Sequence, residues 1–186
     1  MLTMPVFIAF LRAVNVGGTG MIPMAALREL CEKQGFKDPR TLLQSGNLVL
    51  RTGRTTPAAL SKKLEAAIRA RFGADIRVIV RTPDELRDVL KRNPFPTAAK
   101  DDPSHLLVTF LSHAPTKEAA KTLAQWKHAT EPHKVDGREL YTHYASSIGT
   151  SKFVGPTIEK TLATSGTARN WNTINKLIAL AGELET

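Results

Sequence analysis

The sequence predicts an α+β protein built of two tandem ferredoxin-like (βαββαβ) subdomains with an extra C-terminal helix. Strand-like and helix-like segments follow the order strand, helix, strand, strand, helix, strand, and this order occurs twice along the 186 residues. A proline-rich stretch at 93–103 separates the two series. We therefore expect an N-terminal subdomain at 1–82, a helix with a proline-rich connector at 83–103, and a C-terminal subdomain with its terminal helix at 104–186. Only the order of elements repeats, so this is a prediction of topology.

In the first series the strands are apolar runs and the helices are amphipathic. We predict strands at 6–11, 41–44, 47–50 and 76–80. The first helix begins at Pro23 and ends at Gly35, and the second begins after Thr56 and ends at Gly73. The apolar face of the first helix consists of Met24, Leu27, Leu30 and Cys31. The apolar face of the second consists of Leu60, Leu64, Ala67, Ile68 and Phe72. We expect both helices to cover one face of an antiparallel sheet.

The second series is preceded by a helix with a strong start signal. Thr82 and Glu85 have the spacing of a capping box, with Pro83 at the first helical position. Asp136 and Gly137 form the strongest hairpin signal in the chain. The predicted strands are 105–111, 134–135, 138–144 and 167–169. The predicted helices are 115–126, 156–163 and 171–181.

The charge is strongly positive and unevenly distributed. The chain has 26 Lys and Arg against 17 Asp and Glu, a net charge of +9. Residues 1–92 carry 16 basic and 8 acidic side chains, whereas residues 93–186 carry 10 and 9. This asymmetry favours an anionic partner, either a nucleic acid or a phosphorylated small molecule, on the first half. The alternative is that the basic residues only keep the protein soluble.

Several classes of protein are not indicated by the sequence. There is no apolar run of about 18 residues, so we predict no membrane span and no membrane partner. The N-terminal apolar stretch lacks a basic start and is interrupted by Arg12, which is unlike a signal peptide, so we expect a cytoplasmic protein. The single cysteine, Cys31, lies on an apolar helix face and is expected to be a buried thiol.

Residue patterns for metal binding and for common catalytic sites are also missing. The histidines are His105, His113, His128, His133 and His143. Their spacing matches no zinc motif, so we predict no metal and no cofactor. There is no Gly-x-Ser-x-Gly elbow, and Asp101-Asp102 is typical of a solvated loop. Phe7 and Phe10 point to opposite faces of the first strand, which argues against an aromatic RNA-binding platform.

A glycine-rich segment follows the first strand and is the first candidate site. Arg12, Asn15, Gly17 and Gly18 lie between a strand and a helix, a context in which backbone amides can bind an anion. The segment has no lysine of the P-loop type, and Pro23 stands where a dinucleotide fingerprint needs its third glycine. The segment is therefore either a phosphate-binding loop or a tight corner in which glycine is needed for its conformation.

Two further polar clusters are candidates for ligand binding. Gln44, Ser45 and Asn47 surround Gly46 at a predicted hairpin tip, where turn chemistry alone also explains these residue types. In the second cluster, Arg169 can bind a carboxylate or phosphate through its guanidinium fork. Its neighbours allow a structural interpretation, because Asn170 suits a helix N-cap and Trp171 suits the core. On that interpretation Arg169 pairs with an acid of the other half.

Three motifs in this order and spacing resemble the domain of unknown function (DUF) family 1697. They are LRAVNVGG at 11–18, QSGN at 44–47 and TARNWNT at 167–173. The resemblance implies an α+β protein with two related subdomains, mostly bacterial, and no established reaction, so it assigns no catalytic residue. The chain has Ala168 where the family often has a second threonine.

Three hypotheses for the function follow. The first is a binding protein for an anionic ligand, contacted by Arg12, Asn15, Gly17, Gly18 and Arg169. The second is an enzyme for a small polar substrate in a cleft between the subdomains, oriented by Arg169, Asn170 and Gln44. The third is a structural or oligomeric module in which the motifs are only caps and corners. The first predicts an affinity for nucleic acid that falls steeply with salt, the second predicts that the three motifs converge in one pocket, and an exposed apolar sheet face or edge would favour the third.

Overall fold

The computed structural model describes residues 4–15, 21–127, 129–145 and 148–186. The strands in these residues are β1 (Val6–Leu11), β2 (Lys37–Leu42), β3 (Asn47–Arg51), β4 (Val78–Arg81), β5 (Leu106–Leu111), β6 (His133–Asp136), β7 (Glu139–His143) and β8 (Gly166–Asn170). The helices are α1 (Met24–Lys33), α2 (Pro57–Phe72), α3 (Pro83–Lys91), α4 (Pro96–Asp101), α5 (Lys117–Ala124), α6 (Gly155–Leu162) and α7 (Trp171–Glu185). The protein is thus of the α+β class, with two four-stranded antiparallel sheets.

The chain divides into two compact units. Unit 1 comprises Met1–Asp88 together with Lys176–Thr186, and unit 2 comprises Val89–Asn175. The terminal helix α7 therefore contributes its first residues to unit 2 and its last residues to unit 1.

Unit 1 contains a sheet with the strand order β2-β3-β1-β4. All neighbouring strands are antiparallel, so that Ile8 in β1 lies opposite Val49 on one side and Arg81 on the other. Helices α1 and α2 pack on one face, because their apolar stripes match its inward side chains. The other face is also withdrawn from solvent, since Ile8, Phe10 and Val49 are fully buried. Phe7 lies in the helix-covered core, so neither strand aromatic forms an open platform for bases.

Unit 2 contains a sheet with the order β6-β7-β5-β8, again antiparallel throughout. Its core combines strand residues with side chains from α5, α6 and the segment between β7 and α6. The buried members are Leu111, Leu123, Leu140, Tyr144, Phe153, Ile158 and Leu162. The Tyr144 hydroxyl donates a hydrogen bond to the carbonyl of Phe153 at 2.6 Å, and burial raises the pKa of Tyr144 to about 12. This hydroxyl therefore stays protonated and serves as a fixed donor inside the core.

The two units place equivalent residues at equivalent positions. Leu11 N donates to Gly46 O at 2.8 Å in unit 1, and Leu111 N donates to Arg138 O at 2.8 Å in unit 2. At the opposite end of each sheet, Arg81 and Arg169 occupy matching positions in the last strand. Both arginines are buried, and each donates to the carbonyl of the residue before it. A shared feature of this kind belongs to the common framework of the units.

Most sequence-predicted elements are present, and the capping predictions are confirmed. Thr82 N donates to Glu85 Oε2 at 2.8 Å and Glu85 N donates to Thr82 Oγ1 at 3.2 Å, which is the reciprocal pair of a capping box. Asp136 and Glu139 close the predicted hairpin around Gly137, whose φ is +60°.

The predicted bounds differ from the structure at several elements. Strand β2 is Lys37–Leu42 rather than 41–44, so that Leu43 and Gln44 belong to a four-residue turn, and the terminal helix α7 continues beyond the predicted residue 181 to Glu185. Strand β4 begins at Val78 rather than at Ile76. The proline-rich stretch contains the short helix α4, because a proline at the first helical position leaves no amide unpaired there.

Candidate functional site

The first two motifs meet at one end of the unit 1 sheet, where β1 finishes and β3 and β4 begin. A backbone hydrogen bond from Leu11 N to Gly46 O at 2.8 Å joins them, and a second bond, from Arg12 N to Arg77 O at 2.9 Å, joins the first motif to the residue before β4. The helix α1 also contributes Arg28, whose Nη1 donates to Thr41 Oγ1 at 2.6 Å. We call this region, defined by Arg12, Arg28 and Arg77, the basic end of unit 1.

Asn15 ties the basic end together. Its Nδ2 donates to the carbonyl of Gln44 at 2.7 Å and to that of Ile22 at 3.0 Å, and its Oδ1 accepts from Ile22 N at 2.8 Å. The residue has a left-handed backbone, with φ of +56°, which asparagine tolerates better than most residues. Asn15 therefore fixes the chain before α1 against the β2–β3 hairpin. Gly17 and Gly18 lie outside the described residues.

The β2–β3 hairpin has a turn of four residues, 43–46, with two left-handed positions. Leu43 has φ of +60° and Gly46 has φ of +75°. Gly46 is also enclosed, because a Cβ built on it would lie 2.8 Å from Leu11 Cβ. Asn47 is buried and donates to Leu42 O at 2.8 Å and to Ser45 Oγ at 3.2 Å. The side chains of Gln44 and Ser45 are exposed, so the turn presents polar groups to solvent.

The basic end continues into a groove of about 590 Å³ along α2. The groove is lined by Lys62, Glu65, Ala66, Arg69, Asp75, Ile76 and Arg77. Arg69 Nε lies 3.2 Å from Asp75 Oδ1, whereas Arg77 Nη1 lies 3.8 Å from Glu65 Oε2, and the side chain of Arg77 is 72% exposed. Such a long, exposed ion pair contributes little energy, so Arg77 can engage another anion at small cost.

Counted by unit, the charge is more even than counted by half. Unit 1 carries 15 Lys and Arg against 10 Asp and Glu, and unit 2 carries 11 against 7. The end of α7 brings two acids into unit 1, where Glu183 pairs with Arg40 at 2.5 Å and Glu185 pairs with Arg87. The positive field of the first half is therefore partly neutralised away from the basic end.

The third motif lies in unit 2 and has structural contacts. The Oδ1 of Asn170 accepts from the amide and the hydroxyl of Thr173, at 2.9 and 2.8 Å, which caps α7. Trp171 is buried with 8% of its surface exposed. Arg169 donates to Thr167 Oγ1 and Ala168 O, both at 2.8 Å, and burial lowers the pKa of its guanidinium to about 10.

Comparison with protein families identifies the group to which this sequence belongs. The family model described as "Protein of unknown function (DUF1697)" matches residues 4–141. The chain belongs to the DUF1697 family. The matched region contains the motifs at 11–18 and 44–47 and ends before the motif at 167–173. Among curated proteins, no sequence matches this DUF1697 chain.

A solved structure has a similar fold. The conserved bacterial protein SP0830 from Streptococcus pneumoniae superposes on the DUF1697 chain with a TM-score of 0.72. The two sequences are 18% identical, and the comparison covers 96% of this chain and 99% of that chain. An identity this low shows a shared fold and leaves the function of the DUF1697 protein to be argued from its own residues.

At the equivalent end of unit 2 in the DUF1697 protein, serines take the positions of Arg12 and Arg77. Arg12 and Arg77 correspond to Ser112 and Ser165, since Ser112 N donates to Ser165 O at 2.9 Å just as Arg12 N donates to Arg77 O. The two serine hydroxyls lie 2.6 Å apart and form a hydrogen bond. The sheet topology therefore does not require guanidinium groups at these two positions.

Sequence reasoning missed one cluster of titratable side chains in unit 2. The sequence predicted Asp102 to be only a solvated loop residue. Its Oδ1 lies 2.7 Å from His105 Nδ1, and its Oδ2 lies 3.0 Å from His143 Nε2. Hydrogen bonds from His143 and His105 lower the pKa of Asp102 below its ordinary value. The pairing of β5 with β7 brings Leu106 opposite His143, a contact between distant residues that local sequence patterns do not reveal.

Other sequence predictions concern single residues or absences. Cys31 is buried as predicted, and burial raises the pKa of its thiol to about 12, so it is not a thiolate nucleophile. In the described part of the chain, no three or more His, Cys, Asp or Glu side chains are arranged to hold a metal ion. Among the same residues no helix has the length and apolar character needed to cross a bilayer.

Proposed function

We propose that the DUF1697 protein binds a phosphate-bearing ligand, a nucleic acid or a phosphorylated small molecule, at the basic end of unit 1. The observation that carries this proposal is that Arg12 and Arg77 are joined by a backbone hydrogen bond, next to the exposed polar turn of the hairpin. Guanidinium groups bind phosphate oxygens in a fork, and the solvent-exposed amide of Gln44 and hydroxyl of Ser45 add polar groups beside them.

The comparison between the units supports this choice. At the equivalent place in unit 2, Ser112 and Ser165 bond to each other, and the hairpin turn is shortened to Gly137 and Arg138. The additional features of unit 1 are therefore not consequences of the sheet topology. Asn15 acts as a positioning residue, because it holds the chain after β1 against Gln44.

Arg169, Asn170 and Trp171 form a separate candidate in unit 2, and we do not assign them to this site. Arg169 has a counterpart in Arg81, and the N-cap Asn170 has a counterpart in Thr82. Because these residues recur at equivalent positions of both units, we explain them by the shared fold rather than by a ligand site in one unit.

We further infer that each unit is a ferredoxin-like subdomain. The strand orders support this, since each sheet places its first strand between its third and fourth. The corresponding division of the sequence is 1–82 and 104–186 with a connector at 83–103, and α7 extends from the second part.

The experiment is a binding titration of the full chain with a labelled single-stranded oligonucleotide and, separately, with ribose 5-phosphate. Affinity for the oligonucleotide is expected to fall steeply between about 50 and about 200 mM salt. In the double variant Arg12→Ala/Arg77→Ala, two phosphate contacts are lost, so the slope of log affinity against log salt becomes shallower by about 1.4.

The matched control is Lys37→Ala/Arg54→Ala, which removes two charges at the opposite end of the same sheet. Its salt slope is expected to equal that of the unmodified protein. Equal slopes in both double variants, or affinity that is independent of salt, contradict the proposed site. Binding of ribose 5-phosphate without the oligonucleotide identifies a small-molecule ligand.

A further inference from the structure

Two exposed apolar side chains stand at the basic end of unit 1. Met21 is 68% exposed and Leu43 is 54% exposed, the highest values among large hydrophobic residues in the part of the chain that the structure describes. Their neighbours Ile22 and Gln44 both accept hydrogen bonds from the same nitrogen, Asn15 Nδ2. The two apolar side chains thus belong to segments that Asn15 holds side by side.

Leu43 is an unfavourable choice for folding alone. Its φ of +60° is a left-handed conformation that costs energy for leucine and none for glycine. Its side chain gains little from burial, because more than half of it faces solvent. Strained residues of this kind are concentrated at ligand sites, where the surroundings keep them in place for function.

The hairpin of unit 2 shows that the fold does not need this residue. There the turn contains only Gly137 and Arg138, whereas unit 1 uses the four residues 43–46. The longer turn adds an apolar side chain and two polar ones, Gln44 and Ser45, beside the arginines. An apolar surface next to polar and cationic groups matches a ligand that has a flat apolar face, polar edges and a phosphate.

We propose that the ligand is a single-stranded nucleic acid, with an unpaired base resting on Met21 and Leu43 and the adjoining phosphates on Arg12 and Arg77. This inference rests on the proposed function and narrows its ligand. Unpaired bases expose faces for apolar contact and edges for hydrogen bonds from groups such as Gln44 and Ser45. A duplex hides these faces, and two side chains present too little apolar area to anchor the protein on a lipid surface.

The test compares a labelled single-stranded oligonucleotide with an abasic strand of the same length, so that phosphates are equal and bases differ. The unmodified protein is expected to bind the base-bearing strand about tenfold more tightly. Leu43→Gly is expected to weaken binding of the base-bearing strand about fivefold and to leave the abasic strand unchanged. Met21→Ala is expected to act in the same direction.

Leu43→Gly distinguishes a loss of binding from a loss of stability. Because glycine suits the left-handed position, the midpoint of thermal unfolding of this variant is expected to stay the same or rise. Ile148→Ala, which trims an exposed apolar residue of unit 2, is the control and leaves both affinities unchanged.

Equal affinity of the unmodified protein for the two strands, with the salt dependence retained, overturns this inference but not the proposed function. If the unmodified protein binds neither strand in a salt-dependent way, the proposed function is overturned as well. Binding to anionic phospholipid vesicles in preference to the base-bearing strand also overturns the inference.

Discussion

Gly46→Ala is expected to lower the free energy of unfolding by about 2–4 kcal/mol, through left-handed strain and overpacking together. The φ of Gly46 is +75°, so any side chain there is strained. The added Cβ would also lie 2.8 Å from Leu11 Cβ and 3.3 Å from Val14 Cβ. Those atoms belong to the end of β1 and the segment after it, which cannot move without disturbing the basic end. The measurement is urea denaturation followed by circular dichroism.

Two other glycines serve as matched controls for this variant. Gly35 has φ of +83° with open space around it, so Gly35→Ala is expected to cost only the backbone strain, about 1 kcal/mol. Gly53 has open space and no left-handed φ, so Gly53→Ala is expected to be neutral. If Gly46→Ala lowers the free energy of unfolding no more than Gly35→Ala does, the hairpin does not approach β1 as closely as described.

Asn15→Ala is expected to destabilise unit 1 by about 2–3 kcal/mol, since it removes three hydrogen bonds that contribute about 1 kcal/mol each. Those bonds join Asn15 to Ile22 and to Gln44, and the loss of the Oδ1 acceptor removes the hydrogen bond from the part-buried Ile22 amide. Alanine also fits the left-handed backbone less well than asparagine. The free energy of unfolding is again measured by urea denaturation. The affinity for the oligonucleotide is measured separately, at a temperature at which the variant is folded.

Asn15→Gly separates the two causes. Glycine accepts the left-handed backbone, so this variant is expected to lose only the hydrogen bonds and to be less destabilised than Asn15→Ala. If Asn15 positions the hairpin, both variants also weaken binding while Lys37→Ala/Arg54→Ala does not. Unchanged stability in both Asn15 variants would contradict the bridging role.

Local rules predicted the elements that local interactions determine. The capping box at Thr82, the helix α2 between Thr56 and Gly73, and the turn at Gly137 depend on residues near one another in sequence. The predicted length of the β2–β3 turn was wrong. A left-handed backbone at Leu43 has no sequence signature, and a shorter turn fits the same polar residues equally well.

Long-range pairing accounts for what the sequence could not show. The charge asymmetry between halves pointed to a basic first half, yet α7 returns Glu183 and Glu185 to unit 1, where they pair with Arg40 and Arg87. The cluster around Asp102 depends on the register between β5 and β7. The candidate residues Arg12 and Asn15 could be selected from sequence, whereas their partner Arg77 emerged only from the sheet order.

The most direct test is a nuclear magnetic resonance titration of the isotope-labelled full chain with the single-stranded oligonucleotide and then with ribose 5-phosphate. Phosphate recognition at the basic end predicts shifts of the amides of Arg12, Gln44, Ser45 and Arg77. The equivalent amides of unit 2, those of Ser112, Arg138 and Ser165, are predicted to keep their positions. Shifts confined to unit 2, or none with either ligand, would contradict the account.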